Sequence, residues 1–240
     1  LLAGLYPKAD WAPKALRAKA TFEALARDSV EGYFHSVSLM GDGMRANLLA
    51  QGFRRELQGY RAIEVLHRHA ARAPARDPLS LVQYLDLKTY LPGDILTKVD
   101  RASMAHALEV REPLLDHPLV EWLSGLPPAW KLHGGEGKHL LKRALEPYLP
   151  EEILYRPKQG FAVPLAAWFR GPLRGRVRDA VLGPVLAETG LFNPFYLRRL
   201  VEQHQSGLRD YSAPLWSLLM FESFLRNAMG APAVERKVAV

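Results

Sequence analysis

Cysteine is absent from this 240-residue chain, which excludes disulfides, thiolate metal sites and a cysteine nucleophile within it. Long apolar runs are missing too. None approaches the roughly 20 residues needed to span a bilayer, and no charged-then-apolar leader opens the sequence, so a cytoplasmic protein with no membrane partner is the expectation. Strand patterning is scarce: there is no alternating run bounded by turn residues and no Val/Ile-rich run followed by a crossover helix. Internal repeats and low-complexity tracts are also lacking. Acidic excess is absent, since 32 Lys+Arg stand against 25 Asp+Glu, a net charge of +7. That balance suits an anionic ligand such as a nucleotide, pyrophosphate or nucleic acid, and suits equally well a set of arginines on solvated helix faces.

What is present is helix punctuation. From Pro13 to Ala26, Leu16, Ala20 and Leu25 share a side with charges opposite. Ser29 is placed to cap the next helix, GDG at 41–43 reads as a turn, and a further helix runs over 60–73. Asp77 followed by Pro78 is a cap and first-turn pair for LSLVQYLDLKTYL, whose apolar residues fall on almost all sides and predict burial. LPG at 91–93 reads as a break. Beyond it, a helix over about 98–110 places Met104, Ala107 and Leu108 on one face, and Pro113 closes it. Five more helices follow, the fourth bounded by Asn193-Pro194 and Gly207. The fifth carries Leu215, Trp216, Leu219, Phe221 and Leu225 as a core or interface face. The fold class read from the pattern is all-α, a single helical portion over 1–240.

Charge concentrates in LTKVDRASMAHALEVREPLLDHP, residues 96–118. On a helix over 98–110, Lys98 and Arg101 share a side and Glu109 returns to a similar azimuth, a charged stripe that is either a site or a network of surface ion pairs. Asp116, before His117-Pro118, is a natural cap for the helix that follows, a role compatible with its free oxygen accepting from a cation. In YRPKQGFAVPLAAWF, Lys158 lies between Pro157 and Gly160, which favours a fixed loop that aims its ammonium. The eight histidines form no metal-ligand spacing on a helical face. The arginines of RGPLRGRVRD, 170–179, lack the interleaved aromatics of a stacking platform and read as a solvated face.

DLKTYLPGDILTKVDRASMAHALEVREPLLDHPLVEWLSGLP followed by KLHGGEGKHLLKRALEPYLPEEILYRPKQGFAVPLAAWF, residues 86–169, resembles the C-terminal half of the asparagine synthase family, the glutamine-hydrolysing amidotransferases. The combination of DRASM, EVREPLLD and RPKQGF in that order and spacing is far more specific than any one of them. The resemblance implies an enzyme in which a separate N-terminal domain releases ammonia from glutamine at a terminal cysteine. A synthetase domain activates the side-chain carboxylate of aspartate with ATP, and ammonia displaces AMP to give an amide. It implies that Lys158 contacts the phosphates and the intermediate, that Asp116 stands at the active-site acidic position, and that Glu109 and Arg111 are supporting charges.

By the same resemblance, the cysteine-bearing half, the SGGxDS pyrophosphate loop and the acidic GDGGDE-like segment are not in these 240 residues. The chain then corresponds to the helical C-terminal lobe of an α/β adenine-nucleotide α-hydrolase-like synthetase domain without its parallel sheet. The implied cofactors are ATP and Mg, with the Mg ligands upstream of this chain. A fragment inactive by itself, able to self-associate into a homo-oligomer, is the expectation. Glu112 and Leu114 depart from the family's VRVPFLD-like pattern, so the acceptor carboxylate is aspartate by precedence only. Two readings from other classes stand beside this one: a basic helical nucleic-acid-binding module, which needs arginines on one face, and a noncatalytic scaffold docking through residues 213–229.

Overall fold

The computed structural model of the chain describes residues 28–157, 163–228 and 230. The helix expected over 13–26 lies outside them, as does Lys158. The described backbone is a succession of helices, turns and loops with one hairpin of two-residue strands, in keeping with the all-α expectation. It packs as two compact units interleaved along the chain, one holding residues 38–61 and 163–228, the other residues 28–37 and 62–157.

In the first unit the core joins Leu48, Phe169, Val177, Val181, Leu186, Leu200 and Leu215. The Arg174–Leu182 helix buries Val177, Ala180 and Val181. The Pro194–Gln205 helix buries Leu197, Leu200, Val201 and His204, the i, i+3, i+4, i+7 stripe of an amphipathic helix. Asn193 starts the latter helix as expected, its Oδ1 accepting from the Phe195 and Tyr196 amides at 3.0 and 3.3 Å, with Pro194 in the first turn. The Ser212–Ala228 helix buries Leu215, Leu218 and Leu219, while Trp216, Met220 and Phe224 stay partly exposed along one side.

Gly183 joins the Arg174–Leu182 and Pro184–Ala187 helices at a corner where a Cβ would collide with the Asp179 carbonyl. Arg170 is not one of a set of solvated arginines. Its Nε donates to the His204 carbonyl at 2.9 Å and its guanidinium reaches the Arg209 carbonyl at 3.3 Å, answering the negative end of the Pro194–Gln205 helix. The unit is closed across a long sequence separation by an antiparallel bridge between Leu49 and Phe192. The Ala50 amide donates to the Leu191 carbonyl and the Asn193 amide to that of Leu48. GDG is a helix start rather than a turn: Gly41 is the N-cap, and Asp42 opens the Asp42–Leu48 helix with its carboxylate held by Arg45 and Arg61. Those two guanidiniums hold its pKa below the usual carboxylate range, against the opposing effect of burial.

In the second unit Val30, Tyr33, Leu66 and Leu85 form the core. Asp28, not Ser29, caps the Ser29–Val37 helix, its Oδ1 accepting from the Glu31 amide at 2.8 Å. The Asp77-Pro78 signal holds: Asp77 Oδ1 accepts from the Ser80 amide at 2.9 Å. The Pro78–Lys88 helix is half-buried, with only Leu85 fully covered, so the expected burial on all sides is not found. The Tyr33 hydroxyl donates to Asp86 at 2.8 Å; burial, reinforced by that carboxylate, pushes its pKa up to about 12. LPG does not break the chain. Residues Leu91–Leu96 wind as a π-helix that runs into the Thr97–Met104 helix, the wide turn tolerating Pro92 at a position where its missing N–H costs little.

Candidate functional site

The charged stretch carrying the motifs begins on the Thr97–Met104 helix, where Lys98 reaches back to Asp94 at 3.1 Å. The helix stops there instead of continuing to about 110. The Ala107 amide donates to the Met104 carbonyl and the Leu108 amide to that of Ser103, with Ala107 at φ 54°. This is a Schellman closure made without glycine. Met104 and Leu108 are consequently more than half exposed rather than packed on a shared face. The continuous charged stripe is lost as well, since Glu109 lies beyond the helix.

Glu109 instead pairs with Arg111, both Nε and a terminal nitrogen of the arginine lying 2.8 Å from one carboxylate oxygen. The pair sits at 71% and 84% side-chain exposure for Glu and Arg respectively, where such contacts contribute about 0–1 kcal/mol. Residues Pro113–Leu115 form a 3-10 turn, and Asp116 follows as the residue before the His117–Ser124 helix. It occupies the N-cap place anticipated for it, but its side chain makes no cap hydrogen bond. Only its backbone carbonyl takes the cap role, accepting from the Val120 amide at 2.9 Å. The exposed Asp116 carboxylate is therefore committed to neither the helix nor the Glu109–Arg111 pair. Glu112 and Leu114 are exposed beside it.

A second group of charges, which sequence reasoning missed, gathers at Tyr155. The Leu132–His133 and Glu136–Gly137 strands pair through a turn in which Gly134 and Gly135 both take positive φ, a conformation that glycine adopts without strain. This hairpin presents Glu136 to Lys142 on the His139–Leu145 helix. The Lys142 ammonium lies 4.9 Å from the centre of the Tyr155 ring. The Tyr155 hydroxyl donates to Glu146 Oε1 at 2.7 Å, and the same oxygen accepts from Arg143 at 3.1 Å. Glu146 holds the Tyr155 pKa above its ordinary value, so the phenol remains a donor. The only local signal was the i, i+3 spacing of Arg143 and Glu146; the contacts to Glu136 and Tyr155 come from other elements.

Among the described residues no three His, Asp or Glu side chains cluster so as to hold a metal ion. No helix among them is long and apolar enough to cross a membrane.

Comparison with known proteins gives a match to the family described as asparagine synthase over residues 5–226. The chain is 38% identical over 151 residues to a putative glutamine-hydrolysing asparagine synthetase of Mycobacterium tuberculosis, covering 63% of this chain and 23% of that protein. It is 29% identical over 210 residues to asparagine synthetase 1 of Bacillus subtilis, covering 87% and 32%. A third relative, the amidase chry2 of Gibberella zeae, is 32% identical over 111 residues, covering 43% and 16%. The chain thus spans a third or less of the length of these curated relatives. No solved structure matches it.

Proposed function

Because this chain belongs to the asparagine synthase family, we propose that it supplies the helical C-terminal part of a synthetase domain that converts a carboxylate, aspartate first of all, to its amide. A carboxylate oxygen attacks the α-phosphorus of ATP and pyrophosphate leaves. Ammonia released from glutamine then adds to the acyl carbon of the adenylate, and AMP departs as the nitrogen loses a proton. Both steps build negative charge, on the leaving pyrophosphate and on the oxyanion formed by ammonia, and both call for a fixed cation. Lys158 is assigned that role. Asp116 is assigned the acidic position of the same site, with Glu109 and Arg111 as supporting charges, ATP as co-substrate, and Mg ligands outside these residues.

The observation that carries the reading is the family match across 5–226 together with DRASM, EVREPLLD and RPKQGF in order within it. It is supported by the state of Asp116, exposed and with no cap bond from its side chain. The exposed Glu112 and Leu114, together with an amidase among the relatives, leave acceptors other than aspartate open to the same scaffold. The 240 residues alone are proposed to be inactive. The test is Lys158→Ala in the full-length polypeptide that carries this chain. Aspartate- and ATP-dependent amide formation should fall by at least ~100-fold while glutamine hydrolysis persists. Unchanged amide formation sinks the assignment, and turnover by the isolated 240 residues sinks the claim of inactivity.

A further inference from the structure

Opposite the buried stripe of the Pro194–Gln205 helix stand Phe195, Arg198, Arg199 and Glu202, all exposed. Phe195, at 84%, is the most exposed large apolar side chain among the described residues. Arg199 lies one turn beyond both Phe195 and Tyr196, at i+4 and i+3, so the ring and the guanidinium share a face. Neighbouring segments add further arginines. Gln205 Nε2 donates to the Arg174 carbonyl at 2.9 Å, which ties the start of the Arg174–Leu182 helix, with Arg174 and Arg178 exposed, to the end of this one. Past the helix the chain turns back: the Arg209 amide donates to the Gln203 carbonyl at 3.1 Å, and the Arg209 guanidinium reaches the Tyr211 hydroxyl at 3.4 Å. The Tyr196 hydroxyl, kept protonated by burial, lies within the field of both Arg199 and Arg209.

The side chains of Arg174, Arg178, Arg198 and Arg199 make no ion pair or hydrogen bond among the described residues. Glu202, the one carboxylate on the Pro194–Gln205 helix, pairs with none of them. Arg174 and Arg178 stand at i, i+4, where like charges repel, and the Phe195 ring is left in water. One class of ligand relieves both: a strand whose phosphates take the guanidiniums and whose base covers the ring. Over residues 38–61 and 163–228 every basic residue apart from His204 is an arginine, the cation whose planar fork grips a phosphate and also stacks on a base. The aromatics lacking within 170–179 are thus supplied by the helix packed beside that segment. We propose that this face of the first unit docks single-stranded nucleic acid, a base stacking on Phe195 and backbone phosphates held by Arg198, Arg199 and Arg209. Arg174 and Arg178 extend the track. A duplex keeps its bases stacked inside and offers none to the ring, so the partner is a single strand.

The experiment titrates the full-length polypeptide that carries this chain into a fluorescein-labelled oligouridylate of about 20 nucleotides, long enough for one such site, and follows anisotropy. Contact with three or four phosphates predicts a log–log salt slope of about −2 to −3, a loss of affinity of roughly 20- to 50-fold between about 50 and 200 mM salt. Phe195→Ala should weaken binding roughly 5- to 100-fold with the slope unchanged, and Phe195→Tyr, which keeps the ring, should bind as wild type. Arg198→Gln and Arg199→Gln should each flatten the slope by about 0.7. These side chains are exposed, so the melting temperature should stay near wild type in all four variants. A duplex of the same length should bind at least about 10-fold more weakly than the strand.

No saturable binding at the lower salt overturns the inference. So does binding that Phe195→Ala and both arginine variants leave unchanged, since the strand would then sit elsewhere on the polypeptide. Duplex bound as tightly as the strand, or polyglutamate competing as well as the oligouridylate, would reduce the face to a basic surface with no use for the ring. Displacement of the labelled strand by an equal concentration of UMP would mean a pocket for one nucleotide in place of a track for a strand, and overturns the claim as well.

Discussion

His204 makes the stability of the first unit depend on pH in a way that one substitution should remove. Its imidazole is fully buried on the Pro194–Gln205 helix. Nδ1 accepts from the Tyr211 amide at 3.0 Å, and Nε2 is buried without a hydrogen-bond partner among the described residues. Burial, aided by the Arg170 guanidinium, holds the pKa below the ordinary 6.5; the Asp210 carboxylate, 3.6 Å away, acts in the opposite sense. The folded state therefore keeps the ring neutral in a range where the unfolded chain already takes up a proton. The resulting stability is fully present above pH 6.5 and is lost as pH falls from there through the folded-state value. The loss cannot exceed about 1.4 kcal/mol per pH unit, and each kcal/mol lost lowers the melting temperature by roughly 2–4 °C. Protonation at Nδ1 would also take away the acceptor of the Tyr211 amide. His204→Gln keeps an acceptor for that amide and cannot titrate. Urea denaturation followed by tryptophan fluorescence suits the measurement, because Trp216 stacks on Phe169 beside this histidine at 6.5 Å between ring centres. Between pH 7.5 and 5.5 the wild type should lose more stability than His204→Gln, the two curves parting as pH falls through 6.5. Equal slopes would refute the reasoning, whatever the variant costs at neutral pH.

Asp116→Asn should leave stability within about 0.5 kcal/mol of wild type, because the side chain makes no cap bond, while amide synthesis by the full-length protein falls; a drop in melting temperature large enough to account for lost activity would contradict this. Ala107→Gly should stabilise by about 0.5–1 kcal/mol, since relief of the left-handed strain at φ 54° exceeds the added entropy of glycine; chemical denaturation decides, and destabilisation would mean the closure is not strained. Asn193→Ala should cost about 1 kcal/mol by removing the acceptor of two helix-start amides, read from the same denaturation curves, and no cost would deny it a capping role.

Local chemistry was the most legible part of the sequence. Asp77-Pro78 and Asn193-Pro194 start helices as their residue types require, because a cap involves atoms within three residues of each other. The same short range explains the near misses: Asp28 and Ser29 are both capping residues, and only the folded chain decides which of the two side chains takes the Glu31 amide. The 98–110 helix was misjudged because nothing marks its end. Ala107 holds a conformation that glycine or asparagine usually signals, and charge spacing alone suggested continuity. Of the expected site residues, Glu109, Arg111 and Asp116 are exposed, and the sequence did not show that the first two pair with each other. The Tyr155 cluster was not legible, because Glu136, Lys142 and Tyr155 are separated by turns whose geometry no residue type fixes.

The bridge between Leu49 and Phe192 also sets an order of events for folding. Its two ends are about 140 positions apart, and closing so long a loop costs roughly 4.4 kcal/mol of chain entropy before any contact repays it. On the ribosome the early strand end emerges first and waits, while residues 62–157 are complete and free to collapse on themselves. The inserted unit is thus able to mature ahead of its host, and a premature stop before residue 192 removes the bridge and the two helices that complete the core around Leu48.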